Sequence, residues 1–515
     1  MKRKLSWLLV LTMLLAVPAL AETADPNALP IVTEPLTLTI AVNRHASDAS
    51  ANFNEKAFAI QAEAETGIHI EWIEISDNAS EQLAVLLAGE HPDAYMGVLT
   101  DDMVVQNTDL FLPLNDLLAE YCPNVLETYA QIDGWEQYLT YPDGNIYGMA
   151  SFIWEDVNES VGSLPWINQV WLDKIGADMP TTLDELYDVL VAFRDNDMDG
   201  DGDPTNEIPL NFCDAYYGGI IKFAYPWGIT GYYNIEDGKV VPTLTTPAFR
   251  EFLEFYHKLG QEGLFNVEGF STTVEQFNSQ MDSMICGMFL GWGPNNVITG
   301  LEKQAEFVAF TPVAAEGYQA MLSQTSPICA RRNGFVVSAD SEHWKEALLW
   351  WNYLSSSQEM AYFVHRGPEG LAYELAEDGR RYQRNPTDEE LIEYGYEDYI
   401  GMVGTSAFSA SLGAYSTPPV MLEPILQVNA RRQALAEWTE YLPEQTMSKA
   451  VIPAEKSEEL MFMTEGLDAA IKAFMASSVM DGVTDESWDA FQAQLSTLGY
   501  DYYIQFYQDY LDGNF

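Results

Sequence analysis

The sequence predicts an α/β fold in which helices cover a mostly parallel sheet, and three observations near the start of the chain carry that reading. Apolar residues alternate at Leu36, Leu38, Ile40 and Val42, the period of a strand. A helical segment follows, with Ala57, Ile60 and Ala64 on one face and Gly67 as its stop. Ile68, Ile70 and Trp72 alternate again, before Leu83, Leu86 and Leu87 mark a second helix ending near Gly89. Strands alternating with helices are the signature of parallel strands joined by helical crossovers.

Further along, Pro180-Thr181-Thr182-Leu183-Asp184-Glu185 reads as a helix start. Thr182 and Glu185 have capping-box spacing, so each side chain can satisfy an otherwise unpaired backbone N–H. Leu183, Leu186, Tyr187 and Leu190 then share a face. The stretch from Glu342 to Phe363 reads as one or two helices whose aromatics (Trp350, Trp351, Tyr353, Tyr362, Phe363) belong to a core. No internal repeat is visible.

Composition removes several functions. The 515 residues carry 24 Lys+Arg against 78 Asp+Glu, a formal net charge of -54. A nucleic-acid binder needs a basic face to replace counterions, and an anionic membrane surface would repel such a chain. Hydrophobic residues make up 47% and aromatics 13%, which supplies a large core and excludes a disordered chain. The length suggests about two to four domain-sized units.

The first 21 residues read as an export signal. Lys2, Arg3 and Lys4 precede an apolar run from Leu5 to Val17, too short to span a bilayer, and Ala19-Leu20-Ala21 fits a small-x-small cleavage site. No cysteine follows the run, so a lipid anchor is not expected there, and the mature chain should begin at Glu22. Residues 22–35, with Pro26, Pro30 and Pro35, read as a linker. An exported chain can hold disulfides, but Cys122, Cys213, Cys286 and Cys329 are widely spaced with no CxxC. Buried thiols and bridges both remain open readings.

The sharpest motif runs from Asp195 to Glu207, DNDMDGDGDPTNE. Carboxylates on alternate residues of a tight loop can converge on one hard cation, and glycine permits the turn. Counting from Asp195 puts Gly200 at the sixth position of an EF-hand but Asn206 at the twelfth. Counting from Asp197 puts Gly202 sixth and Glu207 one place short. The loop is therefore EF-like rather than a full EF-hand. Five aspartates so close would repel one another without a cation, which favours calcium over a merely solvated loop.

Enzyme signatures are thin: there is no HExxH, no GxSxG and no P-loop. The six histidines show no ligand spacing, and acid pairs among 78 carboxylates carry no information. In Met284–Asn296 an apolar strand runs into Trp292, flanked by Gly291 and Gly293. Flanking glycines can leave an indole face open to a ligand; an indole packed against loops is the equal alternative.

These segments together resemble the extracellular solute-binding proteins of carbohydrate-type ABC importers (family 1), in the long branch with an EF-hand-like calcium loop. Phe58 through Trp72 resembles the family's helix followed by a TG-hydrophobic strand. Trp166 through Leu210 is similar to its "WLDKLG…PTT-DE" helix and calcium loop, and is the most specific block. Gly287 through Trp292 resembles the block before a ligand-stacking Trp. Gly367-Pro368-Glu369-Gly370 and Gly499 through Tyr510 look like the branch's C-terminal blocks.

The resemblance implies a two-lobe periplasmic-binding-protein-like fold (type II), with a ligand cleft between lobes joined by a hinge. It implies residues 36–150 plus 328–367 as the first lobe and 151–327 plus 368–515 as the second, which holds the calcium loop. It places Trp292 in the cleft as a stacking platform, with Trp227 as a second candidate. Glu369 would reach a hydroxyl from a loop near a crossing, and Asn43 and Arg44 would end the first strand on the cleft side. Asp197, Asp199, Asp201, Asp203 (through its carbonyl) and Glu207 would ligate structural Ca2+. Two departures stand out: the lipobox cysteine usual in Gram-positive members is missing, and Thr205-Asn206 replaces an Asp before Glu207.

The expected function is capture of an oligosaccharide or similar solute and delivery to ABC permease subunits, by an exported monomer in the extracellular space or periplasm, with no covalent chemistry and no nucleic acid. The alternatives are a secreted carbohydrate-active enzyme and a binding lobe that serves a membrane sensor.

Overall fold

The structure is a computed structural model that describes residues 25–44, 52–76, 80–132, 134–153, 160–216, 218–325, 329–357, 359–360, 363–364, 367–375, 381–384, 386–394, 421–422, 426–447 and 451–514. The export signal expected at 1–21 lies outside these residues.

The first lobe grows from the alternating strands of the N-terminal third. Strand Leu36–Arg44 pairs in parallel with Ile68–Ser76 along its full length, Leu36 opposite Ile68 and Arg44 opposite Ser76. Between them runs helix Ala57–Thr66, ended by Gly67 at φ 77. A side chain is barred at Gly67 twice over, by that left-handed φ and by Val32 O, which would lie 2.8 Å from a Cβ. The five-stranded sheet has the order 68–76, 36–44, 94–96, 329–337, 148–153. Strand Cys329–Val337 is antiparallel to both its neighbours.

The sheet is therefore mixed, not mostly parallel as its opening strands imply. The reason is topological: strand Cys329–Val337 returns from the second lobe and enters between two strands in the reverse sense. Leu38, Ile40 and Val42 bury one face against Phe58, Ala62, Trp350 and Trp351. Ala41, Tyr95 and Val336 bury the other against Val104, Phe111 and Tyr141. Apolar residues on both faces are what a sheet covered on both sides requires.

The second lobe has a four-stranded sheet in the order 307–309, 164–168, 286–291, 208–210, in which only Ile208–Leu210 and Cys286–Gly291 run parallel. Trp166, Trp171, Leu190, Phe193 and Phe289 lie in one continuous core with Leu435, Trp438, Leu467, Ile471 and Phe491 from the C-terminal region. Helix Leu183–Asp195 is capped by Thr182, whose hydroxyl accepts from Glu185 N at 3.1 Å. The reciprocal bond slips by one residue: Glu185 Oε2 accepts from Thr181 N and Thr181 Oγ1 instead.

Among the described residues, three connections between the lobes can be followed. The chain leaves the first sheet after Ile153 and enters the second at Leu164, then returns between Thr325 and Cys329. These two passages pair with each other: Val161 and Gln324 form an antiparallel bridge, and Ser160 O accepts from Thr325 N at 2.8 Å. The third connection is helix Ala454–Asp481, whose 28 residues span about 42 Å. Ser457 near its start donates to Asp102 Oδ1 of the first lobe at 2.5 Å, and Val479 near its end accepts from His257 Nδ1 of the second at 2.9 Å.

Residues 25–35 contain no regular element, yet Val32 N donates to Thr66 O and Ile31 and Val32 pack against the first-lobe core. Cys122, Cys213 and Cys286 are free, buried thiols; the Cys329 side chain lies outside the described residues. No described helix is long and apolar enough to cross a membrane.

Candidate solute and metal sites

The acidic loop follows directly from helix Leu183–Asp195 and returns into strand Ile208–Leu210, so both of its ends are fixed. Each aspartate organises backbone just ahead of it. Asp197 accepts from Gly200 N (2.7 Å) and Gly202 N (3.0 Å), and Asp199 accepts from Asp201 N (3.0 Å). Lys174 clamps the loop from outside by donating to the carbonyls of Asp197 (2.6 Å) and Met198 (3.2 Å).

Carboxylate oxygens of Asp197, Asp199 and Glu207 come within 4.8 Å of one another. Glu207 Oε1 accepts from Met198 N at 2.6 Å, while its Oε2 is buried and has no hydrogen-bond partner among the described residues; Asn206 Oδ1 is in the same state. Converging carboxylates and orphaned buried oxygens fit a hard divalent cation, which would satisfy both.

The Asp201 side chain turns elsewhere, and Asp203, expected to ligate through its carbonyl, uses its carboxylate within the loop. Asp201 Oδ2 accepts from Asn206 Nδ2 at 2.9 Å, and Asp203 Oδ1 accepts from the Thr205 hydroxyl at 2.6 Å. The Thr205 bonds hold the Asp203 carboxyl below the usual aspartate range. Asn206 precedes Glu207 in the chain, and its buried Oδ1 has no hydrogen-bond partner among the described residues.

Trp292 stands one residue beyond strand Cys286–Gly291, whose Gly291 pairs with Leu164, the first strand residue after the crossing. The indole is thereby placed beside the inter-lobe passages. It is half-buried, and one face is taken: the Arg431 guanidinium lies 3.9 Å from the ring centroid. Arg431 is fully buried, donates to Trp292 O at 3.0 Å, and donates also to Val161 O in the crossing segment.

The flanking glycines have other work than opening the indole. A Cβ on Gly291 would lie 2.8 Å from the Tyr216 ring, and one on Gly293 would lie 2.7 Å from Asn295 Oδ1. They allow close approach of neighbours that fix the turn.

Trp227 does not offer a ring to solute. It is 5% exposed and packs among Phe252, Phe255 and Tyr256 at centroid distances of 5.8, 5.5 and 6.5 Å. Tyr225-Pro226-Trp227 lies in a 3-10 helix with a wholly buried apolar side, which is why this Trp enters the core. Asn43 and Arg44 do end the first strand, at the edge where its parallel neighbours also finish; Asn43 is half-buried, and the Arg44 side chain lies outside the described residues. Glu369 is exposed in a turn bridged to Tyr373. No hydrogen bond or ring contact among the described residues joins Asn43 or Glu369 to Trp292.

Two buried arginines went unseen in the sequence. Arg431 has a legible signal: it begins an i, i+3, i+4, i+7 stripe with Ala434, Leu435 and Trp438, all buried, so a charge faces the core there. Arg332, 2% exposed, pairs with Asp101, donates to Tyr138 O and lies 4.4 Å from the Tyr138 ring. Asn333 extends that network, donating to Asp101 Oδ1 at 3.1 Å and accepting from the Tyr141 hydroxyl at 2.7 Å. The network sits where strand Cys329–Val337 is irregular between Arg331 and Phe335, a disruption the alternation pattern does not reveal.

The fructooligosaccharide ABC transporter substrate-binding protein FusA of Streptococcus pneumoniae serotype 4 is 28% identical over 313 residues, 58% of this chain and 57% of FusA. The chain thus spans a little over half the length of that relative. The structure of S. pneumoniae FusA in complex with kestose superposes with a TM-score of 0.78 at 21% identity, covering 93% of this chain and 99% of FusA. That of a FusA EF-hand mutant in complex with fructo-nystose gives a TM-score of 0.75 at 21% identity, with 93% and 99% covered. These likenesses establish the two-lobe fold. Residues 46–361 match the bacterial extracellular solute-binding protein family, well over half of the chain, and the protein belongs to that family.

Proposed function

We propose that this protein is the extracytoplasmic binding component of an ABC importer, capturing an oligosaccharide between its lobes and handing it to permease subunits. The observation that carries the reading is the place of Trp292: a half-buried indole, braced from one side, at the edge of the second lobe where the chain crosses from the first. Sugars present flat C–H faces ringed by hydroxyls, so an aromatic ring stacks on them while planar polar groups accept and donate at the rim. FusA, a relative of this chain, is a fructooligosaccharide transporter component, which supports a sugar ligand. Asn43, Arg44 and Glu369 are proposed rim contacts from the first lobe and the crossing region. Trp227 is withdrawn from that set because it is core.

The reading has no covalent step. The protein binds, closes and releases, as an exported monomer with the signal at 1–21 removed and no lipid. We take 36–150 plus 328–367 as the first lobe and 151–327 plus 368–515 as the second, with helix Ala454–Asp481 bridging them. Asp197, Asp199 and Glu207 would hold a structural Ca2+ with their side chains, with Asp201 and Asp203 completing the shell through backbone or water. The orphaned Glu207 and Asn206 oxygens support this, as does the existence of an EF-hand in FusA.

Native mass spectrometry of the full chain purified from its own host tests the reading. A retained oligosaccharide, bound reversibly and unchanged after incubation, is the expected result. Hydrolysis of that glycan, or a panel of glycans including kestose with no binding by calorimetry, would overturn it.

A further inference from the structure

We infer that Arg431 is a positioning residue for solute binding: it fixes the Trp292 indole and ties it to the paired crossing segments. The inference rests on Trp292 being the stacking platform, and it goes beyond that reading by naming what sets the platform's orientation.

The geometry is specific. The guanidinium joins three groups: its Cζ lies over the indole, 3.9 Å from the ring centroid, Nη1 donates to Trp292 O at 3.0 Å, and Nη2 donates to Val161 O. Arg431 is fully buried, on a helix otherwise anchored in the second-lobe core through Ala434, Leu435 and Trp438. A buried guanidinium is costly to desolvate, so its retention demands contacts that satisfy it. Two are carbonyls, and one belongs to the ring-bearing residue itself, so rotating the loop of Trp292 breaks the stack and the hydrogen bond together. The second carbonyl, Val161, is bridged to Gln324 in the returning segment. A shift of the indole on ligand stacking therefore reaches both crossing segments through one side chain.

Lysine cannot replace this arrangement. It keeps the charge but offers a compact ammonium in place of a flat fork that can stack and donate in two directions at once. With one face of Trp292 covered, the ligand has only the opposite face, so a single sugar ring stacks at this position rather than one on each side.

The experiment uses the full chain labelled with fluorotryptophan, with kestose as the probe. The Trp292 resonance is assigned by its loss in Trp292→Phe. In Arg431→Lys and Arg431→Met, fluorine NMR should show the Trp292 resonance moved and broadened, while those of the core residues Trp171, Trp350 and Trp351 stay in place. A role limited to general stability would disturb all of them or none. Calorimetry should show kestose affinity about tenfold weaker in each arginine variant, and combining Arg431→Met with Trp292→Ala should cost no more than Trp292→Ala alone. An unmoved Trp292 resonance, or losses that add in full, overturns the inference. If Trp292→Ala leaves affinity unchanged, or wild type does not bind kestose, that reading of the site or of its sugar fails, and the resonance still decides whether Arg431 holds the ring. If Arg431→Met does not fold, Arg431→Lys carries the same comparison.

Discussion

Arg431 covers one face of the Trp292 indole at 3.9 Å and donates to that residue's carbonyl at 3.0 Å, so a ring expected to meet solute is clamped from behind by a buried cation. The relationship makes the ring one-sided. Only the face opposite Arg431 can meet solute, and the ring's tilt is set by the protein before any ligand arrives. Pre-setting the tilt lowers the ordering cost of binding.

Trp292→Ala should weaken oligosaccharide binding by about 2 kcal/mol, the loss of one stacked apolar face and its aromatic geometry. The fold should survive, because the indole is only half-buried. Isothermal calorimetry on the variant, with circular dichroism to confirm folding, checks this. Binding as tight as wild type would return Trp292 to a purely structural role.

Trp227→Ala should behave in the opposite way. Its ring fills a space among Phe252, Phe255 and Tyr256, so truncation leaves a cavity and should cost about 3–5 kcal/mol of stability. Affinity of the fraction that remains folded should be unchanged. Urea unfolding and calorimetry at low temperature separate the two effects.

The metal loop makes a third prediction. A cation bound only by the folded state raises stability by mass action, by about 3 kcal/mol at a hundredfold excess over its dissociation constant. Chelator should lower the melting temperature of wild type, and Asp197→Asn with Glu207→Gln should melt at the chelated temperature whether or not calcium is added. A wild-type melt indifferent to both chelator and added calcium would remove the ion from the account.

Arg332→Met should destabilise the first lobe by about 3 kcal/mol, because Asp101 loses its cation while staying in a largely buried network. Asp101→Asn with Arg332→Met, which removes both charges, should recover part of the loss. Equilibrium unfolding of the three variants measures the coupling.

Much of this was legible because local rules act over short stretches. The alternation of Leu36 to Val42 and Ile68 to Trp72, the stop at Gly67 and the cap at Thr182 all appear where the spacing put them. Trp350 and Trp351 are fully buried, as an aromatic-rich helix implies. What failed depends on distant chain. The first sheet is mixed because strand Cys329–Val337 arrives from the other lobe, and no residue within that strand announces its direction. Glu185 bonds Thr181 rather than Thr182, a slip of one residue that spacing alone does not resolve.

The acidic loop shows the same division. Its alternating aspartates were visible; the carboxylates of Asp197 and Asp199 converge with Glu207, the Asp201 side chain meets Asn206, and Asp203, expected to ligate through its carbonyl, engages Thr205 with its carboxylate. Trp227 stood second to Trp292 in the sequence, each a tryptophan followed by glycine but only Trp292 flanked by glycine on both sides. The difference is the helix on which Trp227 sits and the three rings around it. Arg431 was missed because its partners, Trp292 and Val161, lie 139 and 270 residues away.

The central claim is that solute enters between the lobes and draws them together through contacts at Trp292. Binding closes the lobes if both touch the ligand, because the closed state then gains contacts that the open state lacks. Small-angle scattering of the full chain, titrated with an oligosaccharide shown by calorimetry to bind, tests this most directly. The account predicts a smaller radius of gyration on saturation for wild type, and for Trp292→Ala the same compaction only at higher sugar concentration. Saturating binding with no change in the radius of gyration would contradict it.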